Sequence, residues 1–462
     1  MTTTHRIETD SMGEVKVPLK ALYGAQTQRA VDNFPISGRT MPKAFIHMLG
    51  EVKYAAAQAN KNLRQIDAKI LDSISEAALK VAAGECDDNF PIDVFQTGSG
   101  TSTNMNANEV IANLANVSLG GHLGEKKPVH ANDHVNNGQS SNDVIPTVIH
   151  LAAAYQIKTR LLPAVTTLAK TLASKAREFA EIIKIGRTHL MDATPLTLGQ
   201  EFSGYAAQVH DNIGRIERVL PSLYELAIGG TAVGTGINTH PDFAKEVCAV
   251  LAKRTGMPVK EADNHFSAQA AKDACVEASG ALKTLAVSLI KIADDVRWLG
   301  SGPRAGLAEI ILPELQPGSS IMPGKVNPVI SEVVCQVGMQ VIGNDAVITQ
   351  GAWSGKFELN VAMPLIAANL LDSIALLAHA ATIFNDKCIA GLAADENRCR
   401  ELVERSLMLV TPLAKKIGYD KAAAIAKKAY KAGKTIREVA LEEKILDPKE
   451  LDAILDLRSM TR

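Results

Sequence analysis

The segment 281–300, ALKTLAVSLIKIADDVRWLG, decides the fold class of this chain. Its apolar side chains recur at steps of three and four residues, at Leu282, Leu285, Leu289, Ala293 and Val296. That spacing places them on one face of an α-helix, which we expect to end at Gly300, Gly302 and Pro303.

The same periodicity recurs along most of the chain from about residue 140 onward. It predicts the helical stretches Val144–Ile183, with a kink or break at Pro163, Gln200–Ile228, Phe266–Trp298, Pro328–Ile348 and Pro364–Phe384. Aromatic residues make up only 4% of the chain, which disfavours β-sandwiches and barrels, and there is little strand signal. We therefore predict an all-α, mainly helical fold with a central bundle of long helices. Because several helices exceed the usual ~10–14 residues and are apolar over wide arcs, we expect them to pack against other subunits.

The pattern divides the chain into three regions. Residues 1–138 form an N-terminal, mostly helical domain with shorter helices, such as Lys43–Asn62 and Ala68–Ala83. Residues 139–395 form the central long-helix domain, and residues 396–462 form a small, Lys-rich C-terminal helical domain.

Charge and composition exclude several classes of function. The 462 residues include 49 Lys and Arg against 50 Asp and Glu, so the chain has no basic excess for nucleic acid or an anionic membrane. Six scattered cysteines without a Cys-x-x-Cys pair predict reduced, mostly buried thiols, and His47, His150, His210 and His379 show no metal-ligand spacing. The N-terminus lacks an apolar signal segment, and no apolar run approaches the ~18 residues of a membrane span. We expect a soluble, cytoplasmic protein.

Four polar segments, three of which contain glycine, lie between the predicted helices. The first is Thr97–Glu109, TGSGTSTNMNANE, in which Ser99 or Thr101 can cap a helix whose N-terminus suits a carboxylate or phosphate. An ordinary capped helix explains the turn as well, but the stripe of Thr101, Asn104 and Asn108 predicts a bound polar group. The second segment is Gln139–Asp143, QSSND, whose side chains either cap a long helix or hold an anion.

The third segment, Gly186–Pro195, is GRTHLMDATP and reads as a polar turn. A lone histidine is more often structural than catalytic, but His189 in such a turn is a candidate general acid or base. The fourth segment, Pro317–Pro328, is PGSSIMPGKVNP. Its two glycines allow the loop to move, and Lys325 and Asn327 supply donors for a carboxylate.

The run GSSIMPGKVNP, 318–328, resembles the signature of the fumarase/aspartase superfamily, and all four segments occur in the order and spacing of class II fumarases. This resemblance covers essentially the whole chain. Three positions favour fumarase, since aspartases usually have Gln in place of His189, Ala in place of Gly324 and Thr in place of Ser141. A second anion site of the family is similar to Lys127, His130, Ala131, Asn132 and Asp133, with Ala131 where Pro is common and Lys127 where many fumarases have Arg. His134 follows it, as in aspartases.

The resemblance implies reversible anti addition of water to fumarate, giving L-malate in the tricarboxylic acid cycle through an aci-carboxylate intermediate, without a cofactor or metal. It implies that Ser319 removes the carbon-bound proton, while His189, oriented by Thr188 and Glu332, handles the water. The substrate-binding residues that it implies are Ser99, Gly100, Thr101, Ser140, Ser141, Asn142, Thr188, Ser320, Lys325, Val326 and Asn327. It also implies a homotetramer with a twenty-helix core, in which three subunits contribute to each active site.

Two alternatives stay open at this point. One is an aspartate ammonia-lyase, and the other is a non-catalytic scaffold, against which the joint presence of His189, Ser319, Lys325 and Asn327 argues. Because the net charge is −1, positive potential for a dianionic substrate must be local. Its expected sources are helix N-termini, Lys325, Lys126, Lys127 and Arg187.

Overall fold

The computed structural model describes residues 4–461, and α-helices dominate this part of the chain. The helices are α1 (Ala25–Asn33), α2 (Lys43–Asn62), α3 (Ala68–Ala82), α4 (Thr101–Ser118), α5 (Ser141–Gln156), α6 (Leu162–Glu178), α7 (Leu198–Leu223), α8 (Phe243–Thr255), α9 (His265–Ala270), α10 (Asp273–Leu299), α11 (Val329–Ala352), α12 (Met363–Phe384), α13 (Glu396–Arg405), α14 (Val410–Ile417), α15 (Tyr419–Ala432), α16 (Ile436–Glu442) and α17 (Pro448–Ile454). The strands are β1 (His5–Asp10), β2 (Gly13–Pro18), β3 (Ile183–Thr188), β4 (Met191–Thr197), β5 (Glu225–Leu226), β6 (Lys260–Glu261), β7 (Ile310–Ile311), β8 (Gly355–Lys356), β9 (Leu359–Asn360) and β10 (Ala393–Ala394). The prediction of a mainly helical fold is confirmed.

Pro163 distorts a helix without ending it. A π-helical turn, Ile157–Leu161, joins α5 directly to α6, and Pro163 is the second residue of α6. Because proline has no N–H and its ring displaces the carbonyl one turn earlier, a locally wider helix accommodates it. The stretch predicted as one helix at Phe266–Trp298 is instead two, since Ala271 after α9 has extended backbone (φ −85°, ψ 153°).

Two antiparallel hairpins are the main departure from the helical prediction. In the first, β1 pairs with β2 so that Asp10 lies opposite Gly13. In the second, β3 pairs with β4 from Ile183 opposite Thr197 to Thr188 opposite Met191, with an irregularity between Ile185 and Arg187. The turn of the second hairpin was predicted from the sequence, but its two strands were not.

The chain forms two compact units that are discontinuous in sequence. One contains Met1–Pro163, Gly214–Ala286 and Met339–Ala378, and the other contains Ala164–Ile213, Val287–Gly338 and His379–Arg462. The helices α7, α10, α11 and α12 each contribute residues to both. The three sequential regions proposed above stay a prediction.

Each unit has a tightly packed core. In the first, α2 and α3 approach so closely that a Cβ on Gly50 would lie 2.5 Å from the backbone nitrogen of Ala82. In the second, the C-terminal helices bury a cluster that also includes Ile185 of β3. Its most deeply buried members are Val403, Leu413, Ala429, Ile436, Val439, Ala440 and Leu451. This cluster anchors the base of the β3–β4 hairpin.

Two further features concern solubility and redox chemistry. Among residues 4–461, one helix, Met363–Ile389, is long and apolar enough to cross a membrane. The periodicity predicted a helix at Pro364–Phe384 but no apolar run of membrane-spanning length. In the structure, 61% of the most apolar window of this helix is buried within the fold, as in a core helix of a soluble protein. All six cysteines are free and buried, as predicted.

Candidate active site

The first polar segment forms a tight turn before α4. Gly100 has φ +72°, a left-handed conformation, and a Cβ there would lie 2.9 Å from Ile145 Cγ1. The carbonyl oxygen of Gly98 accepts a hydrogen bond from the Met363 N–H (2.9 Å), and a Cβ on Gly98 would lie 1.9 Å from the carbonyl oxygen of Val361. Both positions therefore require glycine, the first for its backbone conformation and the second for close approach.

Three hydroxyl groups form a continuous chain beside this turn. Ser99 Oγ lies 2.8 Å from Thr101 Oγ1, which in turn lies 2.6 Å from Ser141 Oγ. We call these three residues the hydroxyl cluster. Because Thr101 begins α4 and Ser141 begins α5, the cluster joins two helix N-termini, where free N–H groups and helix dipoles favour an anion. Two of the four predicted segments therefore meet within this chain.

In the second segment, Ser140 caps α5, whereas Ser141 belongs to the hydroxyl cluster. Ser140 Oγ accepts the Asn142 N–H (3.2 Å), while the Ser140 N–H donates to Asp143 Oδ1 (2.9 Å), so this pair forms a capping box. The Asn142 side chain donates to the carbonyl oxygen of Ala232 (2.8 Å). Of the two serines, only Ser141 has its hydroxyl in the hydroxyl cluster.

Asp143 connects this segment to a loop that the sequence analysis missed. Its carboxylate is fully buried and accepts the N–H groups of Gly229 (3.0 Å) and Thr231 (2.9 Å). Burial raises the pKa of Asp143 to about 6, against the lowering effect of these hydrogen bonds and of the Lys53 charge. The signal that could have identified the loop is its glycine content, with glycine at 229, 230, 234 and 236.

The asparagine stripe on α4 binds protein groups. Asn104 Nδ2 and Asn108 Nδ2 each donate to Asn136 Oδ1 at 3.1 Å. Among residues 4–461, neither side-chain oxygen of the two α4 asparagines has a hydrogen-bond partner, although both are buried. The predicted polar partner of the stripe is thus the side chain of Asn136.

His189 lies at the tip of the β3–β4 hairpin. It forms the two-residue loop with Leu190, and both have positive φ values, 57° and 60°. Paired positive φ values are typical of a type I′ hairpin turn, in which Asn and Gly are the usual residues. Both side chains are exposed. The turn therefore places the His189 side chain at an exposed hairpin tip, and its catalytic role stays a prediction.

A buried ion-pair network supports this hairpin. Arg187 donates two hydrogen bonds to Glu309, whose side chain is fully buried (Nη1 to Oε2 2.8 Å, Nη2 to Oε1 3.1 Å). The buried Lys184 pairs with Glu201 at 3.0 Å and with Glu309 at 3.4 Å. Glu309 thus partners both Arg187 and Lys184, and the expectation that Arg187 supplies positive potential for the substrate stays a prediction.

The fourth segment holds Ser319 under two backbone donors. Ser319 Oγ accepts the N–H groups of Met322 (3.0 Å) and Ile321 (3.3 Å). Two donors directed at one hydroxyl oxygen favour its deprotonated form over the neutral one. This geometry supplies part of what a serine base requires.

Lys325 and Asn327 close the base of the same loop. Lys325 Nζ donates to Asn327 Oδ1 (2.8 Å), and Asn327 Nδ2 donates to the carbonyl oxygen of Gly318 (2.6 Å). The Gly318 N–H donates to the carbonyl oxygen of Lys325 (2.7 Å). Ser320, Lys325 and Val326 are exposed, so their side chains are open to a ligand or to another subunit.

Glu332 lies in the first turn of α11 and is half-buried. Among residues 4–461, no ion pair or hydrogen bond joins it to His189. The orientation of His189 by Glu332 therefore stays a prediction, as do the catalytic and binding roles of the other site residues.

The segment resembling the second anion site forms a π-helical turn, Ala131–Val135. His130 Nδ1 accepts the Asp133 N–H (3.2 Å), and the His130 N–H donates to His134 Nδ1 (2.8 Å). Asn132 Nδ2 donates to the sulfur of Met105 at 3.6 Å. One ring nitrogen of each histidine and the Asn132 amide nitrogen are thus used within the protein.

Two cavities flank this turn. His130, Ala131 and Asn132 line one of about 330 Å³, together with the acidic residues Glu8, Asp10, Glu109 and Glu125. Lys127 lines the other, which is wide and shallow. Lys126 Nζ donates to the Thr9 carbonyl oxygen (2.6 Å) and Glu109 accepts three backbone N–H groups, so both side chains already have hydrogen-bond partners. The second anion site stays a prediction.

Within residues 4–461, no group of three or more His, Cys, Asp or Glu side chains is arranged to hold a metal ion.

Comparisons with known proteins cover the whole chain. Residues 13–343 match a family described as "Lyase", and residues 409–462 match the family "Fumarase C C-terminus". "Fumarate hydratase class II" of Nitrosomonas europaea is 55% identical over 457 residues, which are 99% of each chain. The protein of the same name from Mycobacterium tuberculosis is 54% identical over 463 residues, 99% of this chain and 96% of the relative.

Solved structures of similar proteins have the same fold. The class II fumarase of Schistosoma mansoni superposes with a TM-score of 0.95 at 41% identity, covering 99% of both chains. A fumarate lyase:delta crystallin protein of Brucella melitensis superposes with a TM-score of 0.93 at 45% identity, covering 99% of this chain and 100% of the other.

Proposed function

Since this chain belongs to the class II fumarate hydratases, we propose that it catalyses the reversible, stereospecific hydration of fumarate to L-malate in the tricarboxylic acid cycle. The observation that carries this proposal is the hydroxyl cluster of Ser99, Thr101 and Ser141 at two helix N-termini, a neutral but strongly donating site suited to a carboxylate. We propose a cytoplasmic location and no cofactor.

Both substrates are small dianions, so binding requires donors for two carboxylates. In the proposal, the hydroxyl cluster binds one carboxylate, and Lys325 and Asn327 bind the other. Lys325 Nζ and Asn327 Oδ1 are 2.8 Å apart, so one carboxylate can reach donors of both side chains. The remaining proposed binding residues are Gly100, Ser140, Asn142, Thr188, Ser320 and Val326.

Ser319 is the proposed base. In dehydration, its alkoxide removes the proton from the carbon beside one carboxylate of malate, and that carboxylate takes up the electron pair as the aci-carboxylate dianion. The N–H groups of Ile321 and Met322 directed at Ser319 Oγ support the alkoxide. Donors that meet developing negative charge are often the largest contribution to catalysis, at about 2.7–4 kcal/mol each.

His189 is the proposed acid on the opposite face. The aci-carboxylate re-forms the carboxylate, the carbon–oxygen bond breaks, and the leaving hydroxyl takes a proton from the imidazolium of His189 and departs as water. In hydration the same groups exchange these roles. Glu332 and Thr188 orient the imidazole in this proposal, and because the two reacting bonds lie on opposite faces, addition is anti.

A homotetramer completes the site in this proposal, with three subunits contributing to each active site around a core of twenty helices. The exposed face of α11 supports association, because large apolar side chains on it are uncovered: Met339 is 64% exposed, Val333 39% and Ile342 38%. Throughout α11, Val329–Ala352, which the structure describes in full, none of the exposed residues is charged. A helix face of this kind is typical of a subunit interface.

The ammonia-lyase alternative is not favoured. Gly324 has φ +80°, a conformation that suits glycine and strains the alanine usual in aspartases. The test is to incubate the purified protein with malate and with aspartate while recording the ultraviolet absorbance of the fumarate double bond. Malate should raise the absorbance and aspartate should not, whereas a rise with aspartate alone would refute the proposal.

A further inference from the structure

Lys53 is a buried lysine that contacts the segment preceding α5. It lies in α2 and is only 1% exposed. Its Nζ donates to Gln139 Oε1 (2.9 Å) and Asn136 Oδ1 (3.2 Å). Both acceptors belong to the short segment that leads into Ser140 and α5.

Asn136 connects the same lysine to α4. Its Oδ1 accepts hydrogen bonds from Asn104 and Asn108 of α4 as well as from Lys53, so three donors converge on one oxygen. Its Nδ2 donates to the carbonyl oxygen of Gln139 (3.0 Å). The half-buried amide of Asn136 and the amine of Lys53 therefore link the helix that begins with Thr101 to the segment that leads to Ser141.

A buried ammonium without a direct carboxylate partner is costly. Among residues 4–461, no carboxylate forms an ion pair with Lys53. Burial lowers the pKa of Lys53 to about 7, against the raising effect of the Asp143 charge. An apolar side chain would usually give a more stable core at such a position. The position of the ammonium between two substrate-binding segments suggests why a lysine occurs there.

We propose that Lys53 is a positioning residue for dicarboxylate binding. Through Asn136 and Gln139 it fixes the distance between Thr101 and Ser141, so that their hydroxyls meet one carboxylate together. The inference rests on the proposed function. The competing explanation is that Lys53 contributes only to the stability of the core. The two explanations predict different effects on KM when a residue of the hydroxyl cluster is changed together with Lys53.

The test is a double-mutant cycle between Lys53→Met and Thr101→Val, measured as the KM for malate. If Lys53 positions the cluster, Lys53→Met raises KM about tenfold or more, since small displacements of binding groups are costly. Thr101→Val should then raise KM about tenfold in the wild type but less than about threefold in the Lys53→Met background, because residues of one network are not additive. Equal factors in both backgrounds, or a KM for Lys53→Met within about twofold of wild type, would overturn the inference.

Lys175→Met is the matched control. Lys175 is also buried, and its Nζ donates to the carbonyl oxygen of Leu392 (2.8 Å) and pairs with Glu178 (2.9 Å). It should lose stability without a change in the KM for malate. If Lys53→Met does not fold, Lys53→Gln replaces it in the same cycle. Its amide can keep one of the two hydrogen bonds, so a smaller rise in KM is expected, but equal factors for Thr101→Val in both backgrounds would still overturn the inference.

Turnover of malate by the wild-type protein tests the proposed function separately from the proposed role of Lys53. A wild-type protein that binds succinate, an unreactive dicarboxylate, but does not convert malate refutes the proposed function. The rise in Tm caused by succinate then replaces KM as the readout of the cycle. A rise that shrinks in Lys53→Met and persists in Lys175→Met supports the role of Lys53, and an equal rise in both contradicts it.

Discussion

Thr101 Oγ1 lies 2.6 Å from Ser141 Oγ, although forty positions separate the two residues in sequence. Each is the first residue of a helix, so the contact depends on how α4 and α5 are placed and not on loop conformation. Two helix N-termini and three hydroxyl groups therefore lie close together, where one carboxylate can contact them. Carboxylate affinity should therefore respond to single hydroxyl deletions.

Thr101→Val removes the central hydroxyl of the cluster and keeps its shape. Hydrogen bonds to a charged group contribute about 1.5–3 kcal/mol, so the KM for malate should rise between about tenfold and a hundredfold. Steady-state kinetics check this. The control is Thr171→Val on α6, where the exposed hydroxyl donates only to the helix backbone (3.2 Å). A KM for Thr101→Val like that of the control would exclude the cluster from substrate binding.

Ser319→Ala and His189→Asn should each lower kcat with little effect on KM. General acid and base groups contribute roughly 10²–10⁴-fold, and neither group is the main carboxylate ligand in the proposal. Ser203→Ala, which deletes an exposed hydroxyl on α7, is the control and should leave kcat unchanged. Near-wild-type turnover in either active-site variant would remove that residue from the mechanism.

His150 should make the protein sensitive to acid. Burial lowers its pKa from 6.5 to about 4, and Lys272 adds to this, while its Nδ1 bonds the carbonyl oxygen of Glu225 at 2.8 Å. The folded state thus favours neutral histidine, so this contribution is fully present above about pH 6.5 and is lost as the pH falls toward 4. The loss should reach about 3 kcal/mol at most.

Urea denaturation from pH 7 to pH 4 measures this effect. His150→Gln, whose amide can still donate to the Glu225 carbonyl, should show a shallower fall in the free energy of unfolding. The exposed His210→Gln should follow the wild type. Identical slopes for His150→Gln and the wild type would assign the acid sensitivity to other groups.

Met339→Glu should disrupt the proposed tetramer. The side chain is 64% exposed on the uncharged face of α11, and a carboxylate buried against another subunit would lack a partner. Size-exclusion chromatography with light scattering should show smaller species without activity. Tyr430→Glu, at a residue 77% exposed on α15, is the control. Active monomers would contradict the shared active site.

Periodicity predicted the long helices well because their apolar faces are buried inside the fold. It gave α2 with both ends correct and α12 within one residue. It failed at β3 and β4, because apolar and polar residues alternate only weakly along these short strands. In addition, Ile185 is buried by C-terminal helices that lie far away in sequence. Such long-range packing leaves no local signal.

The candidate site was only partly predictable for a similar reason. Motif spacing pointed to Thr101 and Ser141, and the structure brings their hydroxyls together. It could not reveal that Arg187 pairs with Glu309, since Glu309 lies 122 residues away. Nor could it reveal Lys53, because an isolated lysine in an amphipathic helix is normally solvated and no motif marks a buried one.

The most direct test of the central claim is the proton NMR spectrum of malate formed from fumarate in D₂O by the wild-type protein. Because Ser319 and His189 are proposed to act on opposite faces, deuterium and hydroxyl should add anti and give a single deuterated diastereomer of L-malate. Failure to form malate, or an equal mixture of the two diastereomers, would contradict the account.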